Sequence, residues 1–316
     1  MKPLGALLIF CAQLLPAQPP PGRHLGTITA SPEVHVVAFG DWGYRGANSG
    51  QAAVAAAVQR EHRAEPFDLG LTLGDNFYPS GVRSVNDPLW GTLWEGVYAK
   101  LGIPFFATLG NHDYRGNEQA EIDYTGKSKT WRMPARYYTF VAGPVQFFAL
   151  DTDEGTAGRL LFHTPWSAAQ AKWLEAELGR SKARWKVVYG HHPIYSDGFH
   201  GDAARLKRKL LPMLKAHGVA LYLSGHEHDL EFHQQDGIQF LIVGGGGKDT
   251  RGIKARRARF ADGRHGFLDL SASAQRLKWH IRSTEGAALQ SAILPQPGAD
   301  AIAPARTRSA PSSRPR

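Results

Sequence analysis

Five short polar blocks each follow an apolar run, and together they contain side chains that hold metal ions in proteins. The blocks are GDWGY (40–44), GDNFY (74–78), GNHDY (110–114), GHHP (190–193) and GHEHD (225–229). Two metal ions in one site need a bridging carboxylate with separate ligands on either side. The candidate ligands in these blocks are Asp41, Asp75, Asn111, His191, His226 and His228. The blocks therefore predict a two-metal site.

The apolar runs in front of the blocks predict buried strands. They read HVVAF (35–39), FDLGLTL (67–73), IPFFATL (103–109), WKVVY (185–189) and VALYLS (219–224). Open α/β sheets bind ligands at the carboxyl ends of their strands, so we expect the blocks at that end of one sheet. The glycine at the head of each block favours a sharp turn off the strand. Any single block is a weak signal, whereas the ordered set of five indicates a metal site.

The order of the elements predicts an α/β fold. Residues 51–64 and 89–101 have helical patterns between the first three strands, and this βαβαβ order implies a parallel sheet covered by helices. A hairpin after residue 137 begins a second sheet, and helical segments at 167–181 and 204–218 precede the last two blocks. We predict a four-layer α/β/β/α sandwich of two mixed β-sheets flanked by helices, with the metal site at the strand carboxyl ends.

Composition indicates one large globular domain, predicted over residues 33–285. The chain has 316 residues, of which 42% are hydrophobic and 21% are charged. Its formal charge of +9 favours anionic ligands without identifying a function, and the basic stretches are interpreted as solvated surfaces rather than a specific nucleic-acid site. Residues 295–316 are basic and almost free of large apolar side chains, which predicts a disordered tail.

The first 22 residues are predicted to be a signal peptide with a Pro-rich start. Lys2 precedes an apolar run that has the length of a signal core and is too short to span a bilayer, and cleavage is expected near Ala17. We therefore predict a secreted or periplasmic protein without a transmembrane anchor. A lipid anchor at Cys11 is the alternative. Because Cys11 is the only cysteine, the mature chain must build its metal site from oxygen and imidazole ligands.

The order of the blocks resembles that of the calcineurin-like metallophosphoesterases, whose pattern runs D, GD, GNH, H, GHxH. Tyr78, three residues after Asp75, makes the chain similar to the purple acid phosphatases, and its compact length is similar to the small tartrate-resistant type. The resemblance extends from Val34 to Arg282 and includes the stretches GNHDYRGN, WRMP, SAAQAKWLEAEL and GHHPIYS.

The resemblance implies a ligand set for each of two ions. The first ion would be held by Asp41, Asp75, Tyr78 and His228, and the second by Asp75, Asn111, His191 and His226. A phenolate beside carboxylates favours a hard trivalent ion, so Fe(III) is predicted in the first site. Imidazoles and a carboxamide suit Zn, Fe(II) or Mn in the second. If Tyr78 is not a ligand, the chain resembles a generic metallophosphoesterase with two divalent ions.

Two further histidines complete the implied site. The resemblance implies that His112 binds phosphate and assists the leaving group, together with His200. Asp113 is predicted to orient the His112 ring through a carboxylate–imidazole hydrogen bond. His192 stands where the small enzymes usually have tyrosine and has no assigned role. Lys248, in the GGGGKD segment, adds positive charge to a loop that lacks the residues of a phosphate-binding P-loop.

The implied function is hydrolysis of phosphate monoesters by a hydroxide at a dinuclear metal centre, with an acidic pH optimum. The expected substrates are phosphorylated small molecules or phosphoproteins, and the expected enzyme is a monomer. The same site would also suit a phosphodiester or a nucleotide anhydride. A redox role of an iron pair and a non-catalytic, anion-binding envelope protein are the remaining alternatives.

Overall fold

The computed structural model describes residues 22–153, 167–254 and 257–295, which contain two β-sheets and five α-helices. The predicted signal segment (1–22) and basic tail (295–316) lie outside the described residues, apart from Gly22 and Pro295. Among the described residues, no helix has the length and apolar character needed to cross a membrane.

An eight-stranded mixed sheet forms one half of the structure. Its strands, numbered in chain order, are β1 (Arg23–Thr29), β6 (Tyr138–Ala142), β7 (Val145–Ala149), β8 (Trp185–Tyr189), β9 (Leu221–Ser224), β10 (Leu230–Gln235), β11 (Ile238–Val243) and β12 (Phe260–Asp262). They lie in the order β1-β6-β7-β8-β9-β11-β10-β12. The central strands β7, β8, β9 and β11 are parallel, whereas β6–β7 and β10–β11 are antiparallel hairpins.

A seven-stranded sheet forms the other half. Its strands are β2 (Glu33–Phe39), β3 (Leu69–Leu73), β4 (Phe105–Thr108), β5 (Trp131–Arg132), β13 (Gly266–Ser273), β14 (Arg276–Ser283) and β15 (Ala288–Pro295). Their order is β15-β14-β13-β2-β3-β4-β5. Strands β2 to β5 are parallel, as the βαβαβ pattern predicts, and β13 to β15 are antiparallel. Strands β1 and β15 lie just outside the predicted domain range and extend one edge of each sheet.

The α-helices of the described residues have between 6 and 14 residues. They are α1 (Gln51–Ala64), α2 (Glu118–Asp123), α3 (Ala168–Arg180), α4 (Ala204–Lys209) and α5 (Leu211–Ala216). Helix α3 begins where Ser167 accepts a hydrogen bond from the Gln170 main-chain N–H at 3.1 Å, which satisfies a donor of the first turn.

Two predicted helices differ in the structure. The Trp-rich segment 89–101 contains a π-helical turn (Trp90–Glu95) and a 3₁₀ turn (Ala99–Leu101) rather than an α-helix. The large rings of this segment pack in the core, where Trp90 stacks on Tyr124 at 3.6 Å between ring centroids. The predicted helix 204–218 is divided into α4 and α5, because Pro212 has no N–H to continue the hydrogen bonds of α4.

The two sheets pack face to face, and polar side chains join them across the core. Trp185 Nε1 donates to the Ser273 carbonyl at 2.7 Å, and Tyr138 Oη donates to the Ala107 carbonyl at 2.8 Å. Leu174 of α3 is buried against the outer face of the eight-stranded sheet. Val54 of α1 is buried with the other sheet. The predicted four-layer sandwich is therefore confirmed.

The polar blocks leave two sheets, and the expectation of a single sheet was wrong. The first three blocks follow β2, β3 and β4 of the seven-stranded sheet, whereas the last two follow β8 and β9 of the eight-stranded sheet. The blocks still meet, because the carboxyl ends of these parallel strands lie at the same end of the packed sheets.

Candidate metal centre

Three of the predicted metal ligands lie in strained backbone conformations. Asp41 (φ 57°), Asp75 (φ 50°) and His226 (φ 72°) occupy the left-handed region, which costs a non-glycine residue about 1–3 kcal/mol. Hydrogen bonds hold these turns: Asp41 N–H donates to the Gly74 carbonyl at 3.0 Å, and His226 N–H donates to Asp41 Oδ2 at 2.8 Å. Such strain is typical of functional sites, and here it directs three side chains into one space.

Four atoms that could bind a metal ion lie together at the Tyr78 hydroxyl, and we call them the first donor cluster. Tyr78 Oη lies 2.9 Å from Asp41 Oδ1, 2.8 Å from Asp75 Oδ2 and 3.2 Å from His228 Nε2. His228 Nε2 is also 3.6 Å from Asp41 Oδ1. The cluster therefore has three oxygen atoms and one imidazole nitrogen.

A second donor cluster surrounds the Asn111 carboxamide oxygen. Asn111 Oδ1 lies 3.0 Å from His226 Nδ1 and 3.2 Å from His191 Nε2, and these two nitrogens are 3.2 Å apart. His191 Nε2 is 3.5 Å from Asp75 Oδ1. Asp75 therefore has one carboxylate oxygen in each donor cluster and joins the two.

The donor atoms have the spacing of ligands around metal ions. With metal–ligand bonds of about 2.0–2.2 Å, neighbouring ligands in a tetrahedral or octahedral shell lie about 3–3.5 Å apart. One ligand atom from each of Asp41, Asp75 and His191 lies within 4.8 Å of the others. The described side chains therefore fit a pair of metal ions, one in each donor cluster.

Main-chain carbonyls hold two of the imidazoles in a ligating orientation. His191 Nδ1 lies 2.9 Å from the Leu73 carbonyl, and His228 Nδ1 lies 2.8 Å from the Asp249 carbonyl. In the neutral form of each ring the carbonyl accepts the Nδ1 hydrogen, which leaves the lone pair on Nε2, facing the donor cluster. This is the usual support for a metal-binding histidine.

The electrostatics favour cations in this space. Burial and the charge of Arg251 lower the pKa of His228 to about 4, so its Nε2 lone pair is available near neutral pH. Burial opposes a charge on His191, but Asp75 raises the pKa of His191 to about 10. Burial also raises the pKa of Asp41 well above its usual range. A positive ion between these groups would relieve the cost of burying adjacent carboxylates.

His112 lies at the edge of the first donor cluster. Its Nδ1 is 2.7 Å from the Pro79 carbonyl, and its Nε2 is 3.9 Å from Asp75 Oδ2. The ring centroid is 4.4 Å from that of Tyr78. The Pro79 carbonyl fixes the ring through Nδ1, so Nε2 faces the first donor cluster.

Asp113 does not orient His112, and this prediction was wrong. The carboxylate instead accepts hydrogen bonds from buried donors, which are Gly110 N at 2.8 Å, Asn76 N at 2.9 Å, Phe77 N at 3.1 Å and Asn76 Nδ2 at 3.2 Å. Asp113 therefore turns into the core, because the main-chain N–H groups of two neighbouring loops need an acceptor there. It connects the loop of the second block to the loop of the third.

His200 lies on the open side of the second donor cluster. Its ring centroid is 4.3 Å from that of His226, and 38% of its side chain is exposed. The buried Glu227 carboxylate holds the loop, accepting main-chain hydrogen bonds from Phe199 at 2.8 Å, His200 at 2.5 Å and Gly201 at 3.1 Å. Sequence reasoning missed Glu227, although its position inside the GHEHD block was the available signal.

His192 lies beside the second donor cluster, and one of its ring nitrogens is within 4.8 Å of a ligand atom of His191 and of His226. Its ring is buried with its centroid 4.4 Å from that of His226. Thr152 Oγ1 accepts the main-chain N–H of His191 at 3.0 Å and of His192 at 2.9 Å. Thr152 was also missed, because the DTD segment after β7 lacks the glycine-led form of the five blocks.

The glycine-rich segment supports the first block. Gly246 N–H donates to the Gly40 carbonyl at 3.1 Å. A Cβ at Gly244 would lie 1.8 Å from the Glu227 carbonyl oxygen, so this close approach requires glycine. Lys248 Nζ lies 3.8 Å from the Tyr44 ring centroid and 2.8 Å from an Asp249 carboxylate oxygen. Lys248 thus places its charge at the rim of the site.

Known proteins are similar to this chain in sequence and in fold. Residues 34–230 match the family described as Calcineurin-like phosphoesterase. Purple acid phosphatase 17 of Arabidopsis thaliana is 35% identical over 241 residues, which cover 69% of this chain and 70% of that protein. Tartrate-resistant acid phosphatase type 5 of Homo sapiens is 32% identical over 266 residues, covering 76% and 79%.

A solved structure is similar as well. The structure of GAP50, described as the anchor in the inner membrane complex of Plasmodium, has a TM-score of 0.72 at 25% identity and covers 84% of this chain and 89% of that one. The chain therefore belongs to the calcineurin-like phosphoesterase family and, within it, to the purple acid phosphatases. The family implies a dinuclear metal centre.

Proposed function

We propose that this protein is a metal-dependent acid phosphatase that hydrolyses phosphate monoesters at the two donor clusters. Asp75 carries the proposal, because its Oδ2 lies 2.8 Å from Tyr78 Oη and its Oδ1 lies 3.5 Å from His191 Nε2. One carboxylate thus joins two cation sites. A bound metal pair clamps the phosphoryl group and supplies a nucleophile near or below neutral pH.

Each donor cluster suits a different ion. The first donor cluster is proposed to hold Fe(III), because its phenol and two carboxylates supply hard oxygen ligands. The second donor cluster is proposed to hold Zn, Fe(II) or Mn, because its two imidazoles and carboxamide suit a borderline divalent ion. The proposed ligands are Asp41, Asp75, Tyr78, Asn111, His191, His226 and His228.

Two histidines act on the substrate in this proposal. His112, fixed through Nδ1 by the Pro79 carbonyl at 2.7 Å, presents Nε2 to the phosphoryl group or to the leaving oxygen. In its protonated form it donates a hydrogen bond there and transfers the proton to the departing alkoxide. Burial lowers the pKa of His112, so the protonated form requires acidic pH. His200 binds the phosphoryl group from the opposite side, and Asp113 only positions the loops.

We further propose the substrate class, the oligomeric state and the export of the enzyme. Its substrates are phosphorylated small molecules or phosphoproteins, and the active protein is an exported monomer. Export rests on the charged and apolar pattern of residues 1–22. The non-catalytic alternative is less favoured, because every predicted ligand side chain is retained and all of them converge.

Metal analysis with a visible spectrum tests the proposal. We expect one iron per chain, a second metal, and a broad visible absorption that is lost in Tyr78→Phe. Tyr44→Phe is the matched control, because the Tyr44 ring lies 6.0 Å from the Tyr78 ring and outside the donor clusters. Two zinc ions without colour would place the site with generic metallophosphoesterases. A metal-loaded protein that hydrolyses diesters but no monoester would overturn the proposed activity.

A further inference from the structure

An exposed aromatic ring lies beside the proposed phosphoryl site. Phe199 precedes His200 in the chain and leaves 54% of its surface in contact with solvent. Its main-chain N–H donates to Glu227 Oε2 at 2.8 Å, so the backbone beneath the ring is held in place. The ring centroid is 5.1 Å from that of His200, which in turn lies 4.3 Å from the His226 ring. Phe199 therefore stands on the rim of the second donor cluster.

Two cations gather around this ring. Lys254 Nζ lies 3.6 Å from the Phe199 ring centroid, and Arg251 Cζ lies 5.5 Å from it. Arg251 Nη1 is 3.3 Å from His200 Nδ1. The main chain anchors both: Arg251 N–H donates to the His228 carbonyl at 3.0 Å, and Lys254 N–H donates to the Asp197 carbonyl at 2.8 Å.

Stability does not explain this arrangement. An exposed cation–π contact contributes only about 0.5–1 kcal/mol, and two neighbouring cations repel each other. Within residues 22–153, 167–254 and 257–295, neither Arg251 nor Lys254 forms an ion pair with a carboxylate. By contrast, the nearby Arg257 pairs with Asp197 at 3.0 Å. Lys254 Nζ also donates to the Phe199 carbonyl at 3.3 Å, which leaves its charge without a carboxylate partner among the described residues. A ring and two such cations next to the proposed phosphoryl site form a surface that an anionic ligand would complete.

We propose that Phe199, Arg251 and Lys254 form a leaving-group subsite for phosphate monoesters whose leaving group carries an aromatic ring and a second negative charge. This inference rests on the proposed phosphatase function. The ring of the leaving group packs on Phe199, and its second anionic group binds Arg251 and Lys254. The phosphoryl group is held by the donor clusters and their histidines as before, so the subsite selects among substrates.

Three model substrates separate the two contributions. Phenyl phosphate and 3-carboxyphenyl phosphate have phenolic leaving groups of similar acidity and differ in one negative charge. Cyclohexyl phosphate replaces the aromatic ring by a saturated one. We measure kcat/KM of the full metal-loaded protein for each and compare ratios between variants. The ratio for 3-carboxyphenyl and phenyl phosphate cancels any effect that a substitution has on the phosphoryl chemistry, because the two leaving groups have similar acidity. Cyclohexanol is a much weaker acid than phenol, so the ratio for phenyl and cyclohexyl phosphate is compared between Phe199→Leu and Phe199→Tyr, which differ in the ring.

Substitutions are expected to change one ratio each. Lys254→Gln should lower the preference for 3-carboxyphenyl over phenyl phosphate by about twofold to fivefold, as expected for a solvent-exposed ion pair. Arg251→Gln should do the same, and added salt should weaken the wild-type preference. Phe199→Leu should lower the preference for phenyl over cyclohexyl phosphate by about threefold to tenfold. Phe199→Tyr keeps a ring and should keep that preference.

Two control variants change exposed side chains outside the proposed subsite. Arg276→Gln and Ile293→Ala, which alter an exposed cation and an exposed apolar side chain of β14 and β15, should keep both wild-type ratios. Ratios that stay unchanged in the Phe199, Arg251 and Lys254 variants, or that change equally in the controls, would overturn the subsite and leave the phosphatase intact. A wild-type protein that hydrolyses none of the three esters would overturn the proposed function itself.

Discussion

Asp113 connects two loops of the proposed metal centre. The substitution Asp113→Asn measures how much this connection contributes to the free energy of unfolding. The side chain is fully buried. Its Oδ1 accepts the main-chain N–H of Asn76 at 2.9 Å and of Phe77 at 3.1 Å, and its Oδ2 accepts that of Gly110 at 2.8 Å. Asparagine has the same shape but replaces one acceptor oxygen by an NH₂ donor. In either orientation of the amide, at least one buried N–H faces this donor and loses its acceptor.

The hydrogen bonds of Asp113 determine how much stability Asp113→Asn is expected to remove. A buried donor without a partner costs about 1–3 kcal/mol, and one or two donors are affected. Part of this loss is offset, because burial and the charge of Asp75 raise the pKa of Asp113 to about 7 and make its ionised form unfavourable. We therefore expect Asp113→Asn to lower the free energy of unfolding by about 2 kcal/mol near pH 7.

Urea unfolding in the presence of a chelator is the suitable assay. The chelator removes the contribution of metal binding, which would otherwise stabilise the two proteins to different extents. Asp123→Asn is the control, because Asp123 is exposed and should change the free energy of unfolding by less than about 0.5 kcal/mol. A similarly small change in Asp113→Asn would refute the reasoning, since the buried N–H groups would then not depend on this carboxylate.

Three further predictions concern other buried acceptors. Glu227→Gln should increase hydrogen exchange of the main-chain N–H groups around His200 about tenfold or more, and unchanged exchange would contradict its role in holding that loop. Thr152→Val should lower the melting temperature by several degrees in thermal unfolding, because two buried N–H groups lose their acceptor, whereas Thr152→Ser should keep the wild-type value. Burial opposes protonation of His35, but the 2.8 Å hydrogen bond between His35 and Asp269 outweighs it and raises the pKa of His35. The pair therefore contributes its full stabilisation below about pH 6.5, the unfolded-state pKa of histidine. This stabilisation is lost as the pH rises through the raised folded-state pKa of His35. Asp269→Asn should remove that part of the pH dependence of the unfolding free energy, and curves that stay parallel from pH 5.5 to 8.5 would show that the pair does not contribute.

The sequence by itself determined the chemistry and the order of the site. Glycine-led polar blocks behind apolar runs indicate ligands at strand ends, because strand periodicity and turn preference are local properties. The residue types then limit the metals, since oxygen and imidazole were the only ligands available. Because helical periodicity is also local, helices α1 and α3 were predicted within a residue or two, whereas the aromatic-rich segment 89–101 forms a π-helical and a 3₁₀ turn instead of an α-helix.

Tertiary structure alone decided how the side chains are held. Only the packed sheets show that the blocks leave two different sheets and that Asp113 supports loops instead of orienting His112. Sequence could not supply this, because the partners of these groups are main-chain N–H and carbonyl groups, which every residue type has and which only the fold brings into contact. The surroundings of Phe199 also could not be predicted from the sequence. Arg251 and Lys254 are about fifty residues away from it in the chain, and only long-range packing places them beside its ring.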